Sequence, residues 1–182
     1  KSVSFDSADG SLPTTERNGY KFVGWYTAKS GGTKITASTI VSITNDHTLY
    51  AHWKANTYKV TFDSDNGSAV SAITVTFGGK YGDLETPTKD GYTFKGWYTS
   101  KTGGSQVTPQ TVVKIAADHT LYARWQGDPI TVKFSNNGGY GTVPDQTYII
   151  GDPYGHLPAG TTASDGGYKF AGWGTATVGG AL

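Results

Sequence analysis

Short runs of alternating apolar and polar residues, each cut off by glycine, asparagine or aspartate, follow one another along the chain. Val60 and Phe62 alternate with Lys59 and Thr61, and Val75 and Phe77 alternate with Thr74 and Thr76. Both runs have the period of half-buried strands. Tyr92 and Phe94 continue as a third, and Leu121, Ala123 and Trp125 set out the inner face of a last one. Gly96, directly before Trp97, breaks the alternation, which predicts a bulge or a close backbone approach. Asp63-Ser64-Asp65-Asn66-Gly67 ends the first strand in a turn signal, and Gly78-Gly79 and Gly103-Gly104 mark further turns. Leu84–Asp90 has room for one helical turn before Pro87. The elements predict a mainly β chain, α+β at most.

The pattern then returns at a fixed spacing. Gly19-Tyr20-Lys21-Phe22-Val23-Gly24-Trp25-Tyr26-Thr27 matches Gly91-Tyr92-Thr93-Phe94-Lys95-Gly96-Trp97-Tyr98-Thr99, with 72 residues from Trp25 to Trp97. Asp46-His47-Thr48-Leu49-Tyr50-Ala51-His52-Trp53 matches Asp118-His119-Thr120-Leu121-Tyr122-Ala123-Arg124-Trp125 at the same offset. Residues 19–53 align on 91–125 without gaps, with 21 identities in 35 positions. A third copy, Gly167-Tyr168-Lys169-Phe170-Ala171-Gly172-Trp173, brings its Trp 76 residues after Trp97, with extra residues near Thr161–Ser164. Such self-similarity marks an array of small units.

Offsets set the expected boundaries. Val3, Phe5, Gly10 and Leu12 fall on Val75, Phe77, Gly82 and Leu84, so the chain is expected to start inside a unit. Repeat one covers 1–53 and lacks its first strand; repeat two is complete over 58–125; repeat three covers 130–182 and lacks its last strand. Linkers fall at 54–57 and 126–129, and their shortness, with Pro129 in the second, favours an elongated array of restricted bending. The recurring aromatic and aliphatic positions are expected to be core. These are Phe22, Trp25 and Trp53, then Phe62, Phe77, Phe94, Trp97, Leu121 and Trp125, and finally Phe170 and Trp173.

Composition narrows the function. The 182 residues carry 15 basic and 14 acidic side chains, a net charge of +1 without long runs, and so no footprint for nucleic acid or anionic membrane. The chain has no cysteine, which excludes disulfides, thiolate metal sites and thiol catalysis. That suits an exported bacterial protein better than a eukaryotic secreted one, whose small domains usually carry disulfides. No run of 18 apolar residues is present to cross a membrane as a helix.

Gly-Tyr-x-Phe-x-Gly-Trp-Tyr-Thr, then Gly-Gly, then His-Thr-Leu-Tyr-Ala-x-Trp resembles the Listeria–Bacteroides repeat, the internalin B-repeat type. The resemblance covers nearly the whole chain. It implies small β-grasp-like (ubiquitin-like) units in tandem on exported, often wall-anchored bacterial proteins. It further implies stalks, spacers and adhesive accessory modules, with no cofactor.

Candidate chemistry is sparse. The tyrosines Tyr26, Tyr50, Tyr98 and Tyr122 are the candidates for contact with a ligand or partner, either a glycan or a host or matrix protein. Cross-strand pairing within the sheet is the simpler account of them, and core packing is the simpler account of the tryptophans. His47 and His119 follow Asp46 and Asp118, a pairing able to bind metal, but one pair per unit is too few ligands. Asp63, Asp65 and Asn66 lack the EF-hand spacing and closing Glu, so a hairpin turn is expected there. Neither a nucleophile elbow, a His-Glu-x-x-His motif nor a phosphate loop occurs, and Asp83, Glu85 and Asp90 form no catalytic pair. The expected role is therefore a stalk or spacer with weak adhesion, not an enzyme. Two alternatives stand beside it: an adhesin module using exposed aromatics, and a filament subunit whose incomplete terminal repeats complete each other by strand exchange.

Overall fold

A computed structural model describes residues 1–137, 141–160 and 170–175. It contains strands β1 (Tyr20–Tyr26), β2 (Lys34–Ile35), β3 (Tyr50–Ala55), β4 (Thr57–Asp63) and β5 (Ile73–Thr76). The remaining strands are β6 (Tyr92–Tyr98), β7 (Gln106–Val107), β8 (His119–Gly127), β9 (Pro129–Val132) and β10 (Gln146–Ile149). Among the described residues there is no helix. The chain is mainly β and built of tandem repeats. It divides into two compact units, Lys1–Pro87 with Phe94–Arg124, and Thr88–Thr93 with Trp125–Leu182.

Repeat two forms a five-stranded sheet in the order β5-β4-β8-β6-β7. Its first and last strands, β4 and β8, run parallel, with Val60 opposite His119 and Phe62 opposite Leu121. A parallel pair needs a long crossover, and the residues between the two strands supply it. Alternation puts Val60, Val75, Trp97, Val107, Leu121 and Ala123 on one face, and all six are buried. That face is closed by two coil segments zipped together by backbone bonds rather than by a helix. The Gly78 amide donates to Val113 and the Val113 amide to Gly79, at 2.9 and 2.8 Å. Val113 and Tyr81 thereby reach the core.

Repeat one builds the same parts. Its sheet, β2-β1-β3, matches β7-β6-β8, and its coils are zipped from Asp6 to Val41 and from Val41 to Ser7, both at 2.9 Å. The offset of 72 found in the sequence holds for β1 on β6 and β2 on β7, while β3 matches only the later part of β8. The ladder shifts register between Phe22 and Gly24, in the repeat-one counterpart of the bulge expected at Gly96. Repeat three pairs β9 with β10, the counterparts of β4 and β5.

Several expectations are corrected. Leu84–Asp90 forms no helical turn and is coil through Thr88, because Pro87 is buried and restricts the residue before it, while the Glu85 carbonyl is taken by Trp97. Asp65 and Asn66 are the positive-φ centre of a turn closed from the Gly67 amide to the Ser64 carbonyl at 3.0 Å. However, the β4–β5 ladder ends at Val60 opposite Ile73, so this turn is not a tight hairpin. Val3 and Phe5, which match Val75 and Phe77 in sequence, are exposed and outside any strand. Each four-residue linker is mostly strand. Only Asn56 separates β3 from β4, and only Asp128 separates β8 from β9.

Candidate functional site

The expected core residues divide by depth. Trp97 is 2% exposed and Leu121 fully buried, while Phe22, Trp25, Trp53, Phe62, Phe77, Phe94, Trp125 and Trp173 are half-buried. Phe170 is the correction: it touches Trp173 but is 46% exposed, so it rims the cluster instead of filling a core. Gly167, Tyr168 and Lys169 of the third motif, the extra residues 161–164, Gly138-Gly139 and the last residues, 176–182, lie outside the described residues.

One constellation recurs in all three repeats. A Phe edge meets the Trp ring three residues on, at 5.5 Å for Phe22–Trp25, 5.4 Å for Phe94–Trp97 and 5.1 Å for Phe170–Trp173. The indole N–H then donates to a loop carbonyl, from Trp25 to Pro13, Trp97 to Glu85 and Trp173 to Pro158. A phenylalanine at or just past the end of the first strand adds a further ring, with Phe62 on Trp97 at 4.7 Å and Phe134 on Trp173 at 4.8 Å. In repeat one, an open groove of about 690 Å³ lies beside Trp25, Val41 and Leu49. The counterparts of Trp25 and Leu49 are Trp97 and Leu121, which β4 covers in repeat two.

The four candidate tyrosines are half-buried, and all pack on neighbours. Tyr26 lies opposite Tyr50 across the β1–β3 ladder, which is the expected cross-strand pairing. What sequence reasoning missed is an imidazole or a cation against each ring. His52 stacks flat on Tyr26 at 3.8 Å, and Arg124 sits 3.8 Å over Tyr98. Lys29 stands 5.9 Å from the Tyr50 centroid and Lys101 5.8 Å from that of Tyr122. The signal was present in the offset. His52 and Arg124 occupy the variable position of Leu-Tyr-Ala-x-Trp, and Lys29 and Lys101 share one repeat position. Cation–π contact at exposed sites contributes about 0.5–1 kcal/mol and occupies one face of the ring.

The Asp-His pairs act within the fold. Asp118 Oδ1 accepts the Lys59 amide at 2.8 Å, tying the start of β8 to β4 across 59 residues of sequence. His119 opens β8. Its Nδ1 lies 2.9 Å from the Ala117 carbonyl, which can only accept, so Nδ1 carries the proton. Its Nε2 lies 2.8 Å from the Tyr81 hydroxyl. Burial pushes that hydroxyl above its ordinary range. His47 is exposed, with Nδ1 3.1 Å from the Asn45 carbonyl. Among the described residues no group of three or more His, Cys, Asp or Glu converges as a metal site would require. Asp63 is engaged by Lys101 at 2.9 Å and by the Asp65 amide, and these hold its carboxyl below the usual carboxylate range.

Comparison with known proteins agrees with this repeated architecture. The model of the Listeria–Bacteroides repeat domain matches three times, over residues 2–52, 58–124 and 131–181. Internalin H of Listeria monocytogenes is 41% identical over 133 residues, covering 69% of this chain and 24% of the relative. A protein of Evansella cellulosilytica, provisionally named a Gly-rich membrane protein, is 37% identical over 126 residues, covering 68% of this chain and 14% of its own length. The chain thus spans a quarter or less of these relatives. Three successive matches over nearly all of its residues show that the chain belongs to the Listeria–Bacteroides repeat domain family.

Proposed function

We propose that this chain is a spacer segment of an extracellular bacterial cell-surface protein, on a wall-anchored or secreted parent. Its tandem repeats, over 1–53, 58–125 and 130–182, hold a further part of the protein away from the cell, with weak adhesion of their own. The observation that carries this reading is the repeated Phe–Trp–carbonyl constellation, which gives each copy its own cohesive centre. Each repeat reads as a β-grasp-like unit. Within repeat two the strands lie in the order 2-1-5-3-4 with the first and last parallel, which supports it. The tyrosines support a structural role over a ligand platform, since His52 and Arg124 cover the rings of Tyr26 and Tyr98. The names of the relatives, an internalin and a membrane protein, support the cell-surface placement. No catalytic step or cofactor is proposed.

The test is binding of the chain to a broad panel of glycans and of host and matrix proteins, beside a Tyr50→Ala/Tyr122→Ala variant. The spacer reading expects no specific binding across the panel, only weak contacts that the variant shares. Specific binding lost in the variant replaces it with an adhesin whose site is the outer face of β3 and β8. Specific binding that survives in the variant places an adhesive site elsewhere on the repeats.

A further inference from the structure

The Gly-Tyr pair that opens the aromatic motif is not used by its own repeat's core. Gly19 is buried with φ +78°, and a Cβ added there would lie 2.4 Å from the Phe77 ring of the next repeat. Tyr20 meets Phe77 edge-on, with centroids 5.5 Å apart at 81°, and its hydroxyl lies over Gly78. The Arg17 guanidinium sits 4.0 Å over the Tyr20 ring. Asn56, the one residue between β3 and β4, joins the two sides through its backbone. Its N–H donates to the Gly19 carbonyl at 2.9 Å, and its carbonyl accepts the Phe77 amide at 2.9 Å.

The second unit contains the same device. Gly91 has φ +75°, and a Cβ there would lie 2.5 Å from Ile150. The Tyr92 hydroxyl lies over Gly151, and the Lys89 ammonium sits 4.6 Å from the Tyr92 ring. Asp128, alone between β8 and β9, donates to the Gly91 carbonyl at 2.8 Å and accepts the Ile150 amide at 3.0 Å. Thr88–Thr93 accordingly belong to the same compact unit as Trp125–Leu182. Two occurrences with different side chains, Phe77 or Ile150 and Asn56 or Asp128, share the same backbone bonds. Chance packing does not repeat in that way.

We infer that repeats two and three each carry a docking surface, an apolar residue followed by glycine after the second strand, Phe77-Gly78 and Ile150-Gly151, whose partner is the Gly-Tyr corner of the repeat before it. Consecutive repeats are joined by this clasp as well as by the chain, so the connector residue works as a hydrogen-bonded joint and not as a hinge. The inference deepens the spacer reading and rests on it for its purpose, but its test is independent of ligand binding. A flexible joint would leave the binding result untouched, and an adhesin could still hold its repeats by clasps.

The experiment is amide exchange and residual dipolar couplings on the whole chain, in the parent and in Tyr20→Ala and Phe77→Ala. In the parent, the Asn56 and Phe77 amides should exchange as slowly as Val60. A single alignment tensor should fit strands β1 and β3 together with β4 and β6. In either variant the Asn56 and Phe77 amides should exchange at least tenfold faster and the single tensor should split into two, with Val60 unchanged. The two substitutions sit in different repeats, so unfolding of one repeat leaves the other variant decisive. Free exchange of Asn56 and Phe77 in the parent, two tensors there, or no response in a folded variant would overturn the clasp.

Discussion

Trp97 Nε1 donates to the Glu85 carbonyl at 2.8 Å from a side chain that is 2% exposed, and Phe62 and Phe94 pack against its ring. Large volume and one polar atom are thus met together, the condition under which a buried indole is stable. Trp97→Ala should cost about 3–5 kcal/mol through the cavity it leaves. Trp97→Phe should cost about 1–3 kcal/mol, since the Glu85 carbonyl is left without its donor. Trp25→Ala, at a half-buried counterpart, should cost less than Trp97→Ala. Urea unfolding followed by the remaining tryptophans checks the order.

The carboxylate of Asp118 holds the Lys59 amide beside the parallel β4–β8 pair. Asp118→Ala removes a charge-assisted bond and should cost about 1.5–3 kcal/mol. Asp118→Asn, which keeps an acceptor oxygen, should recover much of it. Exchange of the Lys59 amide should quicken in the Ala variant, and an unchanged rate would remove the role assigned to Asp118.

Gly96 has φ +125°, and a Cβ added there would meet Gln106 Nε2 at 2.4 Å. Strain in that backbone region costs about 1–3 kcal/mol for a residue with a side chain. Gly96→Ala should therefore destabilise by that amount, and Gln106→Ala in the same chain should relieve only the steric part. The two contributions separate in a double-mutant cycle of thermal unfolding.

The Asp63–Lys101 pair sets a pH window. The folded Asp63 carboxyl is held below its ordinary value, chiefly by its hydrogen bond from Lys101, so its contribution is present above the unfolded value of 3.8 and is lost as pH falls through the folded one. Lys101 is raised by the same partner, so its contribution is complete below 10.5 and is lost as pH rises through the folded value. Both groups are solvated, so the effect is small. The Tm difference between the parent and Asp63→Asn should be largest near neutral pH and vanish at strongly acidic pH. A difference that persists undiminished in acid would show that Asp63 acts through something other than its charge.

Much of the molecule was legible along the chain because its information is local and repeated. Alternation located β4, β6 and β8, and Gly96 before Trp97 announced a bulge that its repeat-one counterpart shows between Phe22 and Gly24. Leu84–Asp90 misled, because a propensity for one turn says nothing of where the Glu85 carbonyl will be used. Phe170 misled for a related reason: a position equivalent to Phe94 in sequence is buried only where neighbouring elements cover it.

The sequence by itself determined the repeat, its offset of 72, the mainly β class and the aromatic positions that make each cluster. Those follow from period and identity, which are properties of a one-dimensional string. Only the tertiary structure decided that β4 runs parallel to β8, that Asp118 reaches Lys59 and Tyr81 reaches His119, and that Tyr20 packs on Phe77 of the next repeat. Each of these joins groups dozens of residues apart, and the chain between them carries no local signal of the pairing. What selects them is the burial of one apolar sheet face and the requirement that every polar group closing it find a partner.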